Sequence, residues 1–170
     1  MISCMKSTIF ICIFACLLPV KGFTCAFCDP KVIERQAVLE TENFRVLADY
    51  APINYGHMLL VPKRHVERLD DLDPALGTEL LILQRRVSRA FQQLLQTQDT
   101  TLIQKNGYAA GQSVPHVHFH LIPMHRHKWQ TLAHLRVFMR ILFGSRPSDP
   151  QELEKVVALF KAHFEANNLQ

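Results

Sequence analysis

Gln112-Ser113-Val114-Pro115-His116-Val117-His118-Phe119-His120-Leu121-Ile122 alternates imidazoles with apolar residues. A period of two is the signature of a half-buried strand, because successive side chains leave a strand on opposite faces. The spacing predicts a strand over 116–122, ended by Pro123. His116, His118 and His120 then share one face, about 7 Å apart from one to the next at roughly 3.3 Å per residue. Val117, Phe119 and Leu121 point into a core. Like charges on neighbouring rings oppose triple protonation, so at least one ring stays neutral near pH 7. A neutral imidazole carries a free lone pair and can act as a nucleophile or a metal ligand. On spacing alone the three rings fit a metal site as well as covalent catalysis. The preceding loop, Asn106-Gly107-Tyr108-Ala109-Ala110-Gly111-Gln112, carries two glycines and can turn backbone N–H groups toward phosphate oxygens.

The flanking segments supply a frame for that strand. Gln36–Leu39 and Phe44–Leu47 read as a hairpin around Thr41-Glu42-Asn43, and His57–Val61 as a short buried strand stopped by Pro62. Tyr50–Gly56 is a loop. Asp73-Pro74 opens a helix whose Leu76, Leu80, Leu83, Val87, Phe91 and Leu94 recur at helical spacing. Thr101–Lys105 reads as a further strand. Leu132–Phe143 is amphipathic and stops at Gly144, and Asp149-Pro150-Gln151-Glu152 starts a last helix with the apolar face Leu153, Val156, Val157, Phe160 and Phe164. The class is α+β, with hairpin-length connections that argue antiparallel pairing.

The chain has 170 residues, 48% hydrophobic and 20% charged, which bounds it to one globular domain. A formal net charge of +4 suits an anionic small molecule and is too dilute to indicate a nucleic-acid partner. Residues 1–22 stand apart. Lys6 precedes an apolar run from Thr8 to Val20, shorter than the roughly 20 residues a spanning helix needs and close to a secretory signal core. Export or membrane tethering is the favoured expectation, which would allow membrane contact through this segment; a cytoplasmic protein with an apolar tail is the alternative.

From about Cys25 to Pro123 the chain resembles the histidine triad (HIT) family. The resemblance rests on Cys25-Ala26-Phe27-Cys28, on Asp49-Tyr50-Ala51-Pro52 leading to Gly56-His57, and on Val61-Pro62-Lys63-Arg64-His65. It rests further on Asn106-Gly107 through Gly111-Gln112-Ser113-Val114 and on the histidine strand. It implies a HIT-like antiparallel sheet of about five strands with helices packed on it, over residues 23–125. It implies a homodimer that hydrolyses or transfers nucleotidyl groups from dinucleoside polyphosphates or nucleoside phosphoramidates. His118 would form the covalent nucleotidyl intermediate. His120 would hydrogen-bond phosphate oxygens or the leaving group, and Gln112 and Ser113 would hold the phosphate. Asp49 would bind ribose hydroxyls, Asn106 would support the phosphate loop, and His57 would orient the triad from behind. Magnesium, if used, would arrive with substrate phosphates. A non-catalytic nucleotide- or zinc-binding protein with the same fold is the alternative.

Cys25, Cys28, His65 and His116 make a Cys2His2 donor set matching the family's structural zinc pattern. A Cys25–Cys28 disulfide is the competing reading, favoured in an oxidising compartment. Residues 126–170 form a C-terminal helical extension packed on the domain. No acidic residue lies between Met124 and Pro147, whereas Arg126, Lys128, Arg136, Arg140 and Arg146 are basic. That stretch reads either as a solvated helix face or as an attractor of phosphates or an anionic membrane. Trp129 reads as a packing residue.

Overall fold

The computed structural model describes residues 25–126 and 130–167. The signal-like segment 1–22, Lys128 and Trp129 therefore lie outside the described residues. Among the described residues, no helix is long and apolar enough to cross a membrane.

Three helical entries are built on Asp-Pro. Asp29 accepts from the Lys31 N–H (2.9 Å) at the start of α1 (Pro30–Gln36). Asp73 accepts from the Ala75 N–H (2.9 Å) in the short 3₁₀ turn that leads into α2 (Gly77–Leu95). Asp149 accepts from the Gln151 N–H (2.8 Å) at the start of α4 (Pro150–Asn167). In each, the carboxylate takes up a backbone donor that the helix leaves unpaired, and proline presets the backbone at a position that needs no N–H. The remaining helix, α3 (Gln130–Phe143), ends at Gly144 with φ +83°, the left-handed conformation expected of a glycine cap.

The strands are β1 (Ala37–Glu40), β2 (Phe44–Ala48), β3 (Met58–Pro62), β4 (Asp99–Gln104) and β5 (Phe119–Met124). They form one antiparallel sheet in the order β1-β2-β3-β5-β4. The expected α+β architecture of five strands with packed helices is the observed one. The register slips between Ala37 and Leu39, so Val38 and Leu39 are both buried where strict alternation would expose one. Glu79, near the start of α2, ties the β1–β2 turn down by accepting from the Thr41 hydroxyl (2.6 Å) and the Asn43 N–H (3.0 Å).

The expected strand over 116–122 is displaced. Pairing begins at Phe119, opposite Leu60, and runs on through Pro123 to Met124. Before Phe119 the chain leaves the ladder: the Val117 N–H donates to the Val66 carbonyl (2.7 Å) and the His116 ring reaches the Pro62 carbonyl (2.9 Å). Pro123 is tolerated because its missing N–H would face the β3 side beyond Met58, where β3 has ended. On that side its carbonyl accepts from Asn54 Nδ2 (3.0 Å).

The sheet separates two unlike faces. On one, Phe44, Val46, Met58, Leu60, Val117, Phe119 and Leu121 pack with Leu83, Val87 and Phe91 of α2 and Leu153, Val156, Phe160 and Phe164 of α4. On the other, Phe27 packs on Leu47, Leu59 and Val61 at one end, and Val137 of α3 packs on Ile53 and Ile122 at the other. His118 and His120 lie between those two small clusters. Gly56 (φ +82°) permits the turn into β3, since a Cβ there would stand 2.6 Å from Leu95 Cδ1.

Helix α4 is thus part of the main core. Phe160 is fully buried, edge-on to Phe91 at 5.9 Å between ring centroids. Phe160→Ala is expected to cost about 3–5 kcal/mol in urea unfolding, as large-to-small changes in a closed core do. A loss below about 1 kcal/mol would show that α4 does not share that core.

Candidate active site and metal site

The turn Ala26–Cys28 closes with the Cys28 N–H donating to the Cys25 carbonyl (3.0 Å), which gathers the two thiols. His116 Nδ1 lies 3.3 Å from Cys25 Sγ and 3.6 Å from Cys28 Sγ, and His65 Nδ1 lies 3.6 Å from Cys28 Sγ. A tetrahedral zinc with bonds of about 2.3 Å to sulfur and about 2.05 Å to nitrogen has sulfur–nitrogen edges of about 3.6 Å. The donor spacing fits that ion. His116 also holds the right tautomer, assigned from its hydrogen bonds: Nε2–H donates to the Pro62 carbonyl and leaves the Nδ1 lone pair on the thiol side. Burial pushes its pKa down to about 4, so the lone pair is free at neutral pH. Burial and the neighbouring Cys25 raise the Cys28 pKa, an effect a bound cation reverses. Both thiols are free, so the disulfide alternative is not formed in this structure.

His118 is 4% exposed and edge-on to Phe27 at 5.0 Å. Its Nδ1–H donates to the His116 carbonyl (2.7 Å), so the neutral ring carries its lone pair on Nε2. Burial lowers its pKa and Lys105 adds to the effect; the His116 carbonyl and Asp49 oppose it. His120 stands 4.8 Å from His118, centroid to centroid. His120 Nδ1 is 3.1 Å from Nε2 of the buried His57, and His57 Nδ1 accepts from the Ile53 N–H (3.2 Å). Burial holds His57 and His120 at about 3. A neutral His57 that accepts at Nδ1 must donate from Nε2, which places the His120 proton on Nε2. Asp49 Oδ2 lies 3.2 Å from His57 Nδ1, yet a neutral His57 makes this a contact and not an ion pair. Burial raises the Asp49 pKa, partly offset by the Ala51 N–H that donates to Oδ1 (2.9 Å).

Asp49, His57, Ser113, His118 and His120 line one cavity of about 320 Å³ together with Lys105, Gly111, Arg140 and Ser145. Gln112 and Asn106 do not line it. Gln112 accepts from the Gly107 N–H (2.6 Å) and donates to the carbonyls of Glu67 and Val114 (both 2.9 Å). Asn106 accepts from the Leu69 N–H (2.9 Å) and donates to Asp70 (3.0 Å). Both side chains are committed to holding the glycine loop, whereas the sequence reading had Gln112 on the phosphate itself and Asn106 in support of the loop. His116 faces the thiols, so the three triad histidines do not converge on one donor set among the described residues. A larger hollow of about 650 Å³ lies against Asp99, Thr100 and Arg126 and contains no triad histidine.

Lys105, Arg140 and Ser145 were absent from the sequence-derived site. Lys105 was detectable in principle: Ile103 pairs with His120, and a step of two from Ile103 puts Lys105 on the same face. Arg140 belongs to the basic stretch that reads either as a solvated helix face or as an attractor of phosphates, and Ser145 carries no sequence signal. Chemically, the cavity offers a neutral imidazole lone pair, a neutral N–H donor on His120 and two cations. That combination suits attack on an anionic electrophile.

The profile of the HIT domain family matches residues 30–127. A bis(5′-adenosyl)-triphosphatase of Dictyostelium discoideum is 30% identical over 85% of this chain and 96% of its own length. An adenosine 5′-monophosphoramidase of Saccharomyces cerevisiae is 34% identical over 58% of this chain and 61% of its own. A zinc-bound histidine triad family protein from Mycobacterium smegmatis superposes with a TM-score of 0.62 at 24% identity, over 84% of this chain and 96% of that one. At that identity the likeness establishes the fold.

The neutral pair makes stability depend on pH. His57 and His120 sit at about 3 in the fold against about 6.5 in an unfolded chain. On acidification the unfolded state binds protons first. Their contribution is therefore full above about pH 6.5 and is lost as the pH falls through that value toward 3. Tm is expected to fall between about pH 7 and about pH 5, above the range where ordinary carboxylates titrate. An unchanged Tm over that interval would contradict the assignment.

Proposed function

The chain belongs to the HIT domain family, and from that premise we propose that it is a nucleotidyl hydrolase or transferase working through a covalent intermediate on His118. Its named relatives are hydrolases of nucleotide substrates. The observation that carries the finer reading is the hydrogen bond from His118 Nδ1 to the His116 carbonyl (2.7 Å), which leaves Nε2 as the nucleophilic atom of a cavity-lining ring.

In the first step the Nε2 lone pair forms a bond to the nucleotide's α-phosphorus. The bond to the leaving group breaks, and its electron pair departs with that group. Nδ1 keeps its proton, and the positive charge that develops on the ring is stabilised by the His116 carbonyl it already faces. His120 donates from Nε2 to a non-bridging phosphate oxygen, held in that tautomer by His57. Ser113 and the backbone of the loop around Gly111 supply further donors. Gln112 and Asn106 act by fixing that loop. Asp49, which lines the same cavity, would accept from ribose hydroxyls. In the second step water attacks phosphorus, the phosphorus–nitrogen bond breaks, Nε2 regains its lone pair and the water's proton passes to solvent. Two displacements replace one direct attack by water on a poorly electrophilic centre.

Zinc fits Cys25, Cys28, His65 and His116 as a closed structural ion. It would supply charge neutralisation for the two thiolates and lock the His116 ring. The same residue's carbonyl orients His118.

His118→Ala is expected to lower kcat on diadenosine triphosphate by on the order of 10⁴-fold or more, as loss of a nucleophile does. Turnover surviving in that variant would sink the mechanism. Nucleotide bound by the wild type with no turnover would instead indicate a binding protein. For the metal, the purified chain is expected to hold one zinc by atomic emission, and Cys28→Ser to lose it with a lower Tm. A metal-free wild type with an unchanged fold would refute the zinc assignment.

A further inference from the structure

The wall of the triad cavity contributed by α3 carries features that the nucleotidyl-transfer chemistry does not use. Gly144 turns the chain at the end of α3, and the next residue, Ser145, lines the cavity. Ser145 Oγ is shut off from solvent and has no hydrogen-bond partner, the sole such side-chain atom among the described residues. A hydroxyl in that position costs desolvation without return in the free protein. It can recover that loss when a bound group supplies an acceptor. Rotation about a single side-chain torsion is all that changes its direction.

The same wall is cationic. Arg140 lines the cavity, and its hydrogen bond to the Ile53 carbonyl engages one of the five N–H donors a guanidinium carries. From the facing strand end, Lys105 lines the cavity too and donates to the Ile141 carbonyl (3.1 Å) in the last turn of α3. Two cations and a buried hydroxyl therefore share one cavity with His118 and His120, against Asp49 as the single acid in the lining. Asp49 is spoken for by the ribose reading. The transferred phosphoryl group has His120, Ser113 and the glycine loop. What is left over is donor capacity for a second anion.

We propose that Ser145 and Arg140, with Lys105, form a subsite for an anionic leaving group, so that the extension selects substrates that release a phosphate chain over those that release an amine. This rests on the nucleotidyl-transfer reading above. As the phosphorus–oxygen bond breaks, the leaving oxygen takes the bond's electron pair. Donors already aimed at it lower the barrier. An amine leaving group departs protonated and neutral, and so carries no negative charge for these donors to stabilise. The subsite favours the first class for that reason.

The test compares kcat/KM for diadenosine triphosphate and for an adenosine phosphoramidate of a simple amine, in wild type, Ser145→Ala and Arg140→Gln. The ratio of triphosphate to phosphoramidate is expected to fall about tenfold or more in each variant, the usual worth of a hydrogen bond to a charged group. Ser145→Ala is also expected to raise the Tm of the free protein, because it removes an unsatisfied buried hydroxyl. A ratio unchanged within twofold, or a lowered Tm in Ser145→Ala, would overturn the subsite. Arg140→Gln disturbs a contact of α3, so Ser145→Ala carries the decision if the two disagree. If wild type turns over neither substrate, the nucleotidyl-transfer reading fails separately. The subsite is then judged by tripolyphosphate binding in calorimetry: a tenfold loss in Ser145→Ala supports it, and equal affinity or no binding by wild type overturns it.

Discussion

A single peptide group, the one that carries the His116 carbonyl, governs the chemistry of this cavity. By accepting from His118 Nδ1 at 2.7 Å it chooses which nitrogen of that ring is free. The choice is a matter of electrostatics more than of reach. A neutral imidazole has one donor and one acceptor nitrogen, and fixing the donor against a buried carbonyl leaves no second option. The carbonyl is itself fixed, because the His116 ring is pinned between Pro62 on one side and two thiols on the other. Any looseness in that donor set would pass directly to the orientation of His118.

Burial does the rest. His57, His116 and His120 are all held well below the ordinary imidazole range, with desolvation as the first cause in each. The sheet face between the Phe27 cluster and α3 is therefore a place where rings stay neutral while cations approach. Lys105 adjoins His118 and His120 and lowers the proton affinity of both. In the proposed mechanism the arrangement would separate two tasks that one ring cannot perform together, nucleophilic attack by a lone pair and stabilisation of anionic oxygens by donors.

Much of this was legible in the sequence because it rests on local rules. The Asp-Pro junctions at Asp73 and Asp149 announced their helices. The same signal at Asp29-Pro30 opens α1, whose seven residues are too few to show a helical period. The grouping of Cys25, Cys28, His65 and His116 was legible through the family resemblance, and the fold brings these four side chains together. What escaped depends on tertiary pairing. The departure of His116 and Val117 from the ladder is set by the carbonyls of Pro62 and Val66, fifty residues and more away. The inward turn of Gln112 and Asn106 is set by the loop around Glu67–Asp70. Apart from the bonds of Gln112 to Gly107 and Val114, the partners that set these positions lie far outside any local window of sequence. Ser145 is the extreme case, a small polar residue in a polar loop, whose isolation exists only once α3 lies over the sheet.

The stereochemical course at phosphorus tests the covalent intermediate most directly. A substrate carrying a phosphorothioate of known configuration at the α-phosphorus is hydrolysed in isotopically labelled water, and the configuration of the product is read. Each in-line displacement inverts the centre, so attack by His118 followed by attack by water predicts overall retention. Overall inversion would mean a single displacement by water and would contradict the account.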